Sequence, residues 1–264
     1  MLKVENISKV FNKDTVNEKK AITNLNLHLN EGDFLTIIGS NGAGKSTLLN
    51  CIAGTYQIDD GNIVLDGNDI TKLKQFERAK YIARVFQDPL LGTAADMEIQ
   101  ENLSLALHRG EKRNLRYGIT NKEKELFKQN LSLLNLHLED RLTSKVGLLS
   151  GGQRQGLTLL MATIKKPSLL LLDEHTAALD PITARNVLEI TDKLVNENHI
   201  TTIMVTHNMQ DAIDYGNRLI MMNDGKIIFD ISGEQKKKLK KEDLINKFAQ
   251  ITNSELNNDA MLLG

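Results

Sequence analysis

In the run Gly39-Ser40-Asn41-Gly42-Ala43-Gly44-Lys45-Ser46-Thr47, the first eight residues fit the pattern G-x-x-x-x-G-K-[ST]. They follow a short apolar run, Phe34-Leu35-Thr36-Ile37-Ile38, and precede a stretch with Leu48, Leu49 and Ile52 on one helical face. That context suits anion chemistry. The glycines let the backbone curl until successive N–H groups point at phosphate oxygens, and the helix that follows adds the positive end of its dipole. Lys45 would reach the β- and γ-phosphates, and the Ser46 hydroxyl would sit on Mg²⁺. A chance glycine loop in a sheet protein has no reason to combine the whole pattern with this context.

A second element supplies acid. Leu169-Leu170-Leu171-Leu172-Asp173-Glu174 reads as a buried strand ending in two carboxylates. Asp173 at the strand tip can hold the Mg²⁺ shell from the side opposite Ser46, and Glu174 can polarise an attacking water. A solvated acidic turn is the bland alternative, weakened by the phosphate loop. Together the two elements describe a nucleoside triphosphatase.

A third element adds a partner. Leu149-Ser150-Gly151-Gly152-Gln153 opens a helix whose Leu157, Leu160, Met161 and Ile164 recur at i, i+3, i+4 and i+7. Ser150 is a good N-cap, and the two glycines leave N–H groups open to an anion. A second anion-binding helix start has little use for one nucleotide in one chain. It makes sense if each chain completes the site of another.

With these motifs in this order, residues 2 to about 232 resemble the ATP-binding cassette (ABC) ATPases. The resemblance adds three positions: Gln87 in Val85-Phe86-Gln87-Asp88 looks like the glutamine loop, Asp180 in Ala178-Leu179-Asp180 the D-loop, and His207 the switch histidine. Phe11 stands where the family places an aromatic that stacks on adenine, or it is a core aromatic. The resemblance implies two cassettes facing head to tail, with two ATP molecules trapped between the phosphate loop of one and Ser150–Gln153 of the other. Glu174 would activate water, His207 would hold the γ-phosphate and the water in line, and Asp180 would signal across the dimer. Gln87 would sense Mg²⁺ and move a helical lobe that meets a membrane partner.

Where the family usually has Pro after the acidic pair, this chain has His175. It is either tolerated at a turn or touches phosphate or the partner's loop. The run from Asp173 to Pro181, with Leu149–Ala162, looks like a bacterial subfamily of importer ATPases. Those accompany a lipid-anchored binding protein and a permease resembling those for ribose and branched-chain amino acids.

Several elements must position these residues. Val4, Ile7 and Val10 suggest an edge strand, and Leu25, Leu27 and Leu29 alternate as in a half-buried one. From about 96 to 147 the chain reads as helical and polar, with Leu103, Leu107, Leu131, Leu134 and Leu138 as its apolar positions. Parallel-sheet grammar returns at Leu169–Leu172, a helix near 182–197 and Thr201–Val205, and Asn223-Asp224-Gly225 turns a closing hairpin. The expected fold is α/β: a P-loop ATPase core with a mostly parallel sheet, an antiparallel β subdomain and an inserted helical lobe. The cassette would occupy 1–232, with the lobe at about 88–150, and 233–264 would form a Lys-rich helix and tail. Five of the six residues Lys236 to Lys241 are lysine. They read as a solvated helix face or as a patch drawn to anionic headgroups.

Composition excludes several classes. A net charge of −1 over 264 residues leaves no cationic surplus for coating nucleic acid. With 4% aromatics and no Trp, a single-strand stacking surface is also disfavoured. Cys51 is alone, so no internal disulfide forms. His28, His108, His137 and His199 have no metal-like spacing. The MLKVENISKVF start has no signal-peptide character, and no apolar run is long enough to span a bilayer.

The expectation is therefore an ATP- and Mg²⁺-dependent ATPase subunit of an importer for a small solute, with amino acids the leading guess. It would lie on the cytoplasmic face of a bacterial membrane. Its partners would be a second cassette (a homodimer before a heterodimer), a permease and an extracytoplasmic binding protein, and not nucleic acid. Alternatives are an export ATPase subunit, a soluble ATPase of the iron–sulfur assembly type, and a clamp that binds ATP without hydrolysis. Gln153 speaks against the second, because that group usually departs from Gln there. Glu174 and His207 speak against the third.

Overall fold

The run Leu169–Leu172 is buried on both faces of a sheet, as a central parallel strand must be: Leu169 and Leu171 enter one core, Leu170 and Leu172 another. In the computed structural model, which describes residues 1–111 and 118–249, the chain begins with β1 (Leu2–Phe11), β2 (Lys19–Leu29) and β3 (Phe34–Gly39). Then come α1 (Lys45–Ala53), β4 (Asp60–Leu65), β5 (Asn68–Asp69), α2 (Gln75–Arg78) and β6 (Ile82–Val85). Two helices follow, α3 (Ile99–Leu107) and α4 (Asn121–Ser132), and then α5 (Gly151–Thr163). The chain returns through β7 (Leu169–Asp173), α6 (Pro181–Glu197), β8 (Thr201–Val205) and α7 (Met209–Asp214). It closes with β9 (Arg218–Asn223), β10 (Lys226–Ser232) and α8 (Gly233–Lys237), and residues 241–249 are helical.

The fold is mixed α/β. A six-stranded sheet runs β10-β9-β3-β8-β7-β6, parallel at every pairing except the β9–β10 hairpin. A four-stranded antiparallel sheet runs β2-β1-β4-β5. Leu48, Leu49 and Ile52 of α1 are fully buried in the core shared by the two sheets. On the other face of the parallel sheet, Leu103, Phe127, Leu131, Leu134 and Leu138 pack with Leu157 and Leu160 of α5.

Three expectations are corrected. β1 is not an edge strand, because β2 and β4 take up its backbone groups on both sides. Its odd apolar spacing comes from a bulge: Asn6 turns left-handed at φ 50°, which shifts the inward phase from residue 6 to Ile7. Among its described residues, the stretch 96–147 is α-helical only in α3 and α4. Beyond α4 it runs mostly as turns, with Asn135 and His137 at φ 53° and 54°, while Leu134, Leu138, Leu142 and Val146 remain buried. Nor is the lysine run uniformly solvated. Lys236 is buried, and its ammonium donates to the carbonyls of Ile213 (3.0 Å), Tyr215 and Gly216 (2.7 Å) at the end of α7. Burial lowers its pKa to about 8. The tail beyond 249 lies outside the described residues. Among the described residues, no helix is long and apolar enough to cross a membrane.

Candidate functional site

The sheet delivers its chemistry at one edge. β3, β7 and β8 are adjacent and parallel, so Gly39, Asp173 and Thr206–His207 emerge side by side at their C-terminal ends. Loops at that end of a parallel sheet are where ligands bind in open α/β folds.

β3 leads straight into the phosphate loop, where Gly39 and Gly44 permit packing no side chain could. A Cβ on Gly39 would stand 2.2 Å from the Met222 carbonyl oxygen, and one on Gly44 would stand 2.5 Å from that of Ala21. Gly44 also needs its φ of 96°. The β9–β10 turn braces the loop from behind. Asp224 and Gly225 take left-handed φ values of 43° and 70°, as a two-residue hairpin turn requires. The Gly225 N–H then donates to the Ala43 carbonyl (3.1 Å), and the Ser40 hydroxyl donates to Asn223 Oδ1 (3.2 Å).

In front of this loop lies a cavity of about 410 Å³. Phe11, Asn41, Gly42, Ala43, Gly44, Lys45, Ser46 and Thr47 line it, with Glu174, His207, Lys19 and Ala21. Lys45 is 5% exposed and donates to the carbonyls of Gly39 and Ser40, both at 2.9 Å. Burial lowers its pKa, opposed by the negative charges of Glu174 and Asp173. Phe11 meets Tyr56 edge-on at 5.2 Å and keeps one side to the cavity, so it is not simply a core aromatic.

The acidic pair divides its contacts. Asp173 Oδ1 accepts from the Ser46 hydroxyl at 3.5 Å, while Oδ2 accepts from Arg84 at 2.6 Å. A hydroxyl and a carboxylate converging there form a hard oxygen pair. This fits Mg²⁺, which keeps waters and substrate phosphate oxygens as its other ligands. Glu174 takes a left-handed φ of 48°, unusual for a residue with a side chain. Its backbone N–H donates to Val205, and its Oε1 stands 2.6 Å from His207 Nε2.

Other expected residues lie outside the cavity lining. Gln87 is exposed just beyond β6. Ser150 caps α5, with its Oγ accepting from the Gln153 N–H (3.3 Å) and Gln153 Oε1 accepting from the Ser150 N–H (3.2 Å). Gly151 is exposed, and Gly152 packs against Thr183 at the start of α6. Asp180 caps α6 through Thr183 and Ile182, and these hydrogen bonds hold its carboxyl below the usual range. His175 does not face phosphate or solvent. It is 2% exposed, and its Nε2 meets Thr191 Oγ1 at 3.2 Å. Because the Thr191 hydroxyl donates to the Val187 carbonyl, the imidazole must be the donor in that contact.

Sequence reasoning missed Arg84, Lys19 and the Asn223–Gly225 brace. A charged residue inside the otherwise apolar Ile82–Val85 strand was the available signal for Arg84.

Residues 22–177 match the family model described as ABC transporter. The tyrosine transport ATP-binding protein of Clostridioides difficile (strain R20291) is 46% identical over 248 residues, covering 94% of this chain and 98% of that protein. The phosphonates import ATP-binding protein of Lactococcus lactis subsp. lactis (strain IL1403) is 31% identical, covering 87% and 92%. A solved dimeric post-hydrolysis state of an ATP-binding cassette bound to ADP and Pi is similar with a TM-score of 0.75 and 29% identity, covering 88% of this chain and 98% of that one. The ADP conformation of an ATP-binding cassette of an ABC transporter follows with a TM-score of 0.73 and 29% identity, covering 89% and 92%.

Proposed function

The chain belongs to the ABC transporter family and is an ATPase subunit of a transporter, and from that premise we propose that it powers import of a small solute, an amino acid before other classes. The observation that carries the enzymatic reading is the convergence of Lys45, Ser46, Glu174 and His207 on one cavity. The import reading is supported by the relatives: one is named for tyrosine transport and another for phosphonate import.

In this reading the triphosphate lies on the N–H groups of residues 39–47, and Phe11 stacks on the base. Lys45, now folded onto its own loop carbonyls, turns to the β- and γ-phosphates. Ser46 and Asp173 hold Mg²⁺ with help from Gln87, and the ion supplies charge neutralisation for the phosphates. Glu174 accepts a proton from the attacking water. His207 moves from Glu174 to the γ-phosphate and keeps the water in line. Catalysis is then mostly positioning and charge stabilisation. Ser150–Gln153 lies away from its own cavity, which supports its use by a second copy. Asp180 beside it would couple the two sites.

The proposed partners are a second copy of this chain, a permease and an extracytoplasmic binding protein, with the cassette on the cytoplasmic face of a bacterial membrane. The 1–232 cassette, its 88–150 lobe and the C-terminal segment are proposed as the working units. Affinity capture of the full chain from its own membranes tests this. Recovery of a permease, with labelled amino acid uptake that depends on the complex, is the expected result. Recovery of soluble assembly proteins alone would overturn the import reading.

A further inference from the structure

We propose that Lys19 is a nucleotide-binding residue, giving the polyphosphate a second ammonium on the base side of the phosphate loop. The inference rests on the reading of this cavity as the nucleotide site. Lys19 opens β2 directly opposite Phe11, the last residue of β1. Side chains two apart share one face of a strand, and Lys19 and Ala21 both line the cavity. The Lys19 ammonium stands 3.5 Å from the position that a Cβ on Gly42 would take, so it reaches from β2 to the phosphate loop. It therefore lies between the ring proposed to stack on the base and the loop proposed to hold the phosphates.

The charge at this place is uncommitted. Among the described residues, the Lys19 ammonium has no hydrogen bond or ion pair. Its neighbour Glu18 is engaged elsewhere, with Oε2 accepting from the Asp14 N–H at 3.0 Å in the turn between β1 and β2. Lys45, by contrast, is folded onto two loop carbonyls and faces the negative charges of Glu174 and Asp173. His207 aside, Lys45 and Glu174 cancel in the cavity lining, and Lys19 gives it a net attraction for a polyanion. A lysine suits this task, because a compact charge on a flexible stem can follow a phosphate oxygen without a fixed fork of donors. Its place on the base side points to a phosphate that ATP and ADP share, whereas Lys45 serves the terminal ones.

The test is the equilibrium dissociation constant of ADP and of a non-hydrolysable ATP analogue, measured by calorimetry on the full chain. Lys19 is exposed, so its variants keep the fold. At low salt, Lys19→Met should weaken both nucleotides by about tenfold, the size of one charge-assisted hydrogen bond. That loss should narrow as salt rises from about 0.05 M to about 0.5 M, because exposed charges are screened. Lys19→Arg keeps the charge and should bind within about twofold of the wild type. Phe11→Ala removes a neutral contact at the same end of the cavity, and its loss should not narrow with salt. Wild-type affinity in Lys19→Met, a loss indifferent to salt, or a loss confined to the ATP analogue would each overturn the inference while the reading of the cavity stands. If Lys45→Ala left both affinities unchanged, the reading of the cavity would fail first and take the inference with it.

Discussion

His207 Nε2 stands 2.6 Å from Glu174 Oε1, joining the tips of the neighbouring strands β8 and β7. Glu174 is mostly shielded, whereas the histidine is 46% exposed, so the imidazole can leave without disturbing the core. Glu174→Gln keeps the shape and removes the base. It should lower ATP hydrolysis by about 10²- to 10³-fold and leave ATP binding intact. His207→Ala should cost hydrolysis on a similar scale, with the double variant little worse than either single one. Single-turnover hydrolysis and nucleotide binding measured on the same preparations check this. Equal slow turnover in the wild type and Glu174→Gln would favour an ATP clamp over an enzyme.

The exposed Gly151 opens α5 outside the cavity of its own chain. Gly151→Asp places a carboxylate where a second copy's triphosphate would dock. Hydrolysis should fall at least about tenfold from like-charge repulsion, with ATP binding to the single chain unchanged. Lys45→Ala should instead weaken binding itself. Mixing the two inactive chains should restore about a quarter of wild-type activity. Half the dimers are mixed, and each of those holds one intact site of two. Absence of restoration in mixtures shown to form dimers would sink the shared-site reading.

The motifs legible in the sequence are contiguous strings whose chemistry is local. The phosphate loop, Ser150–Gln153 and Asp173–Glu174 each need only a strand before or a helix after, and periodicity supplies both. What stayed hidden depends on distant partners. Arg84 gains its meaning from Asn50 and Asp173, which are brought beside it by α1 and β7. Nothing within the lysine run says which lysine turns inward, because that is decided by the carbonyls at the end of α7. The reading of β1 as an edge failed for a related reason: its second neighbour, β4, is distant in sequence, and one left-handed residue, Asn6, moves the inward phase to Ile7.

Lys236 and Lys237 are adjacent and opposite in kind. Lys236 is buried on three carbonyls, while the Lys237 side chain is 73% exposed in an ion pair with Glu234. Lys236→Met leaves three carbonyls without their donor and should destabilise the protein by about 2 kcal/mol. Lys237→Met should leave stability essentially unchanged, because an exposed pair is screened by water. Denaturant midpoints separate the two. Equal effects would mean that the C-terminal helix does not hold α7 in solution.

His175 ties the turn after Glu174 to α6 through Thr191, and its burial lowers the imidazole pKa from 6.5 to about 4. The folded value lies below the unfolded one. The unfolded chain therefore takes up this proton first as pH falls, and stability declines between about pH 6.5 and pH 4. Above that window the neutral imidazole contributes its hydrogen bond without penalty. By pH 5 the loss from this one group amounts to about 2 kcal/mol. His175→Gln cannot titrate, but it fits the imidazole's place less well. At pH 7.5 the variant should be less stable by about 1 kcal/mol, the value of a typical buried hydrogen bond. At pH 5 the order should reverse, because only the wild type has a buried histidine to charge. Other titrating groups are common to both proteins and cancel in the difference. Thermal unfolding of the pair at the two pH values reads this directly. Parallel losses without a crossing would show that His175 is not buried and neutral in solution.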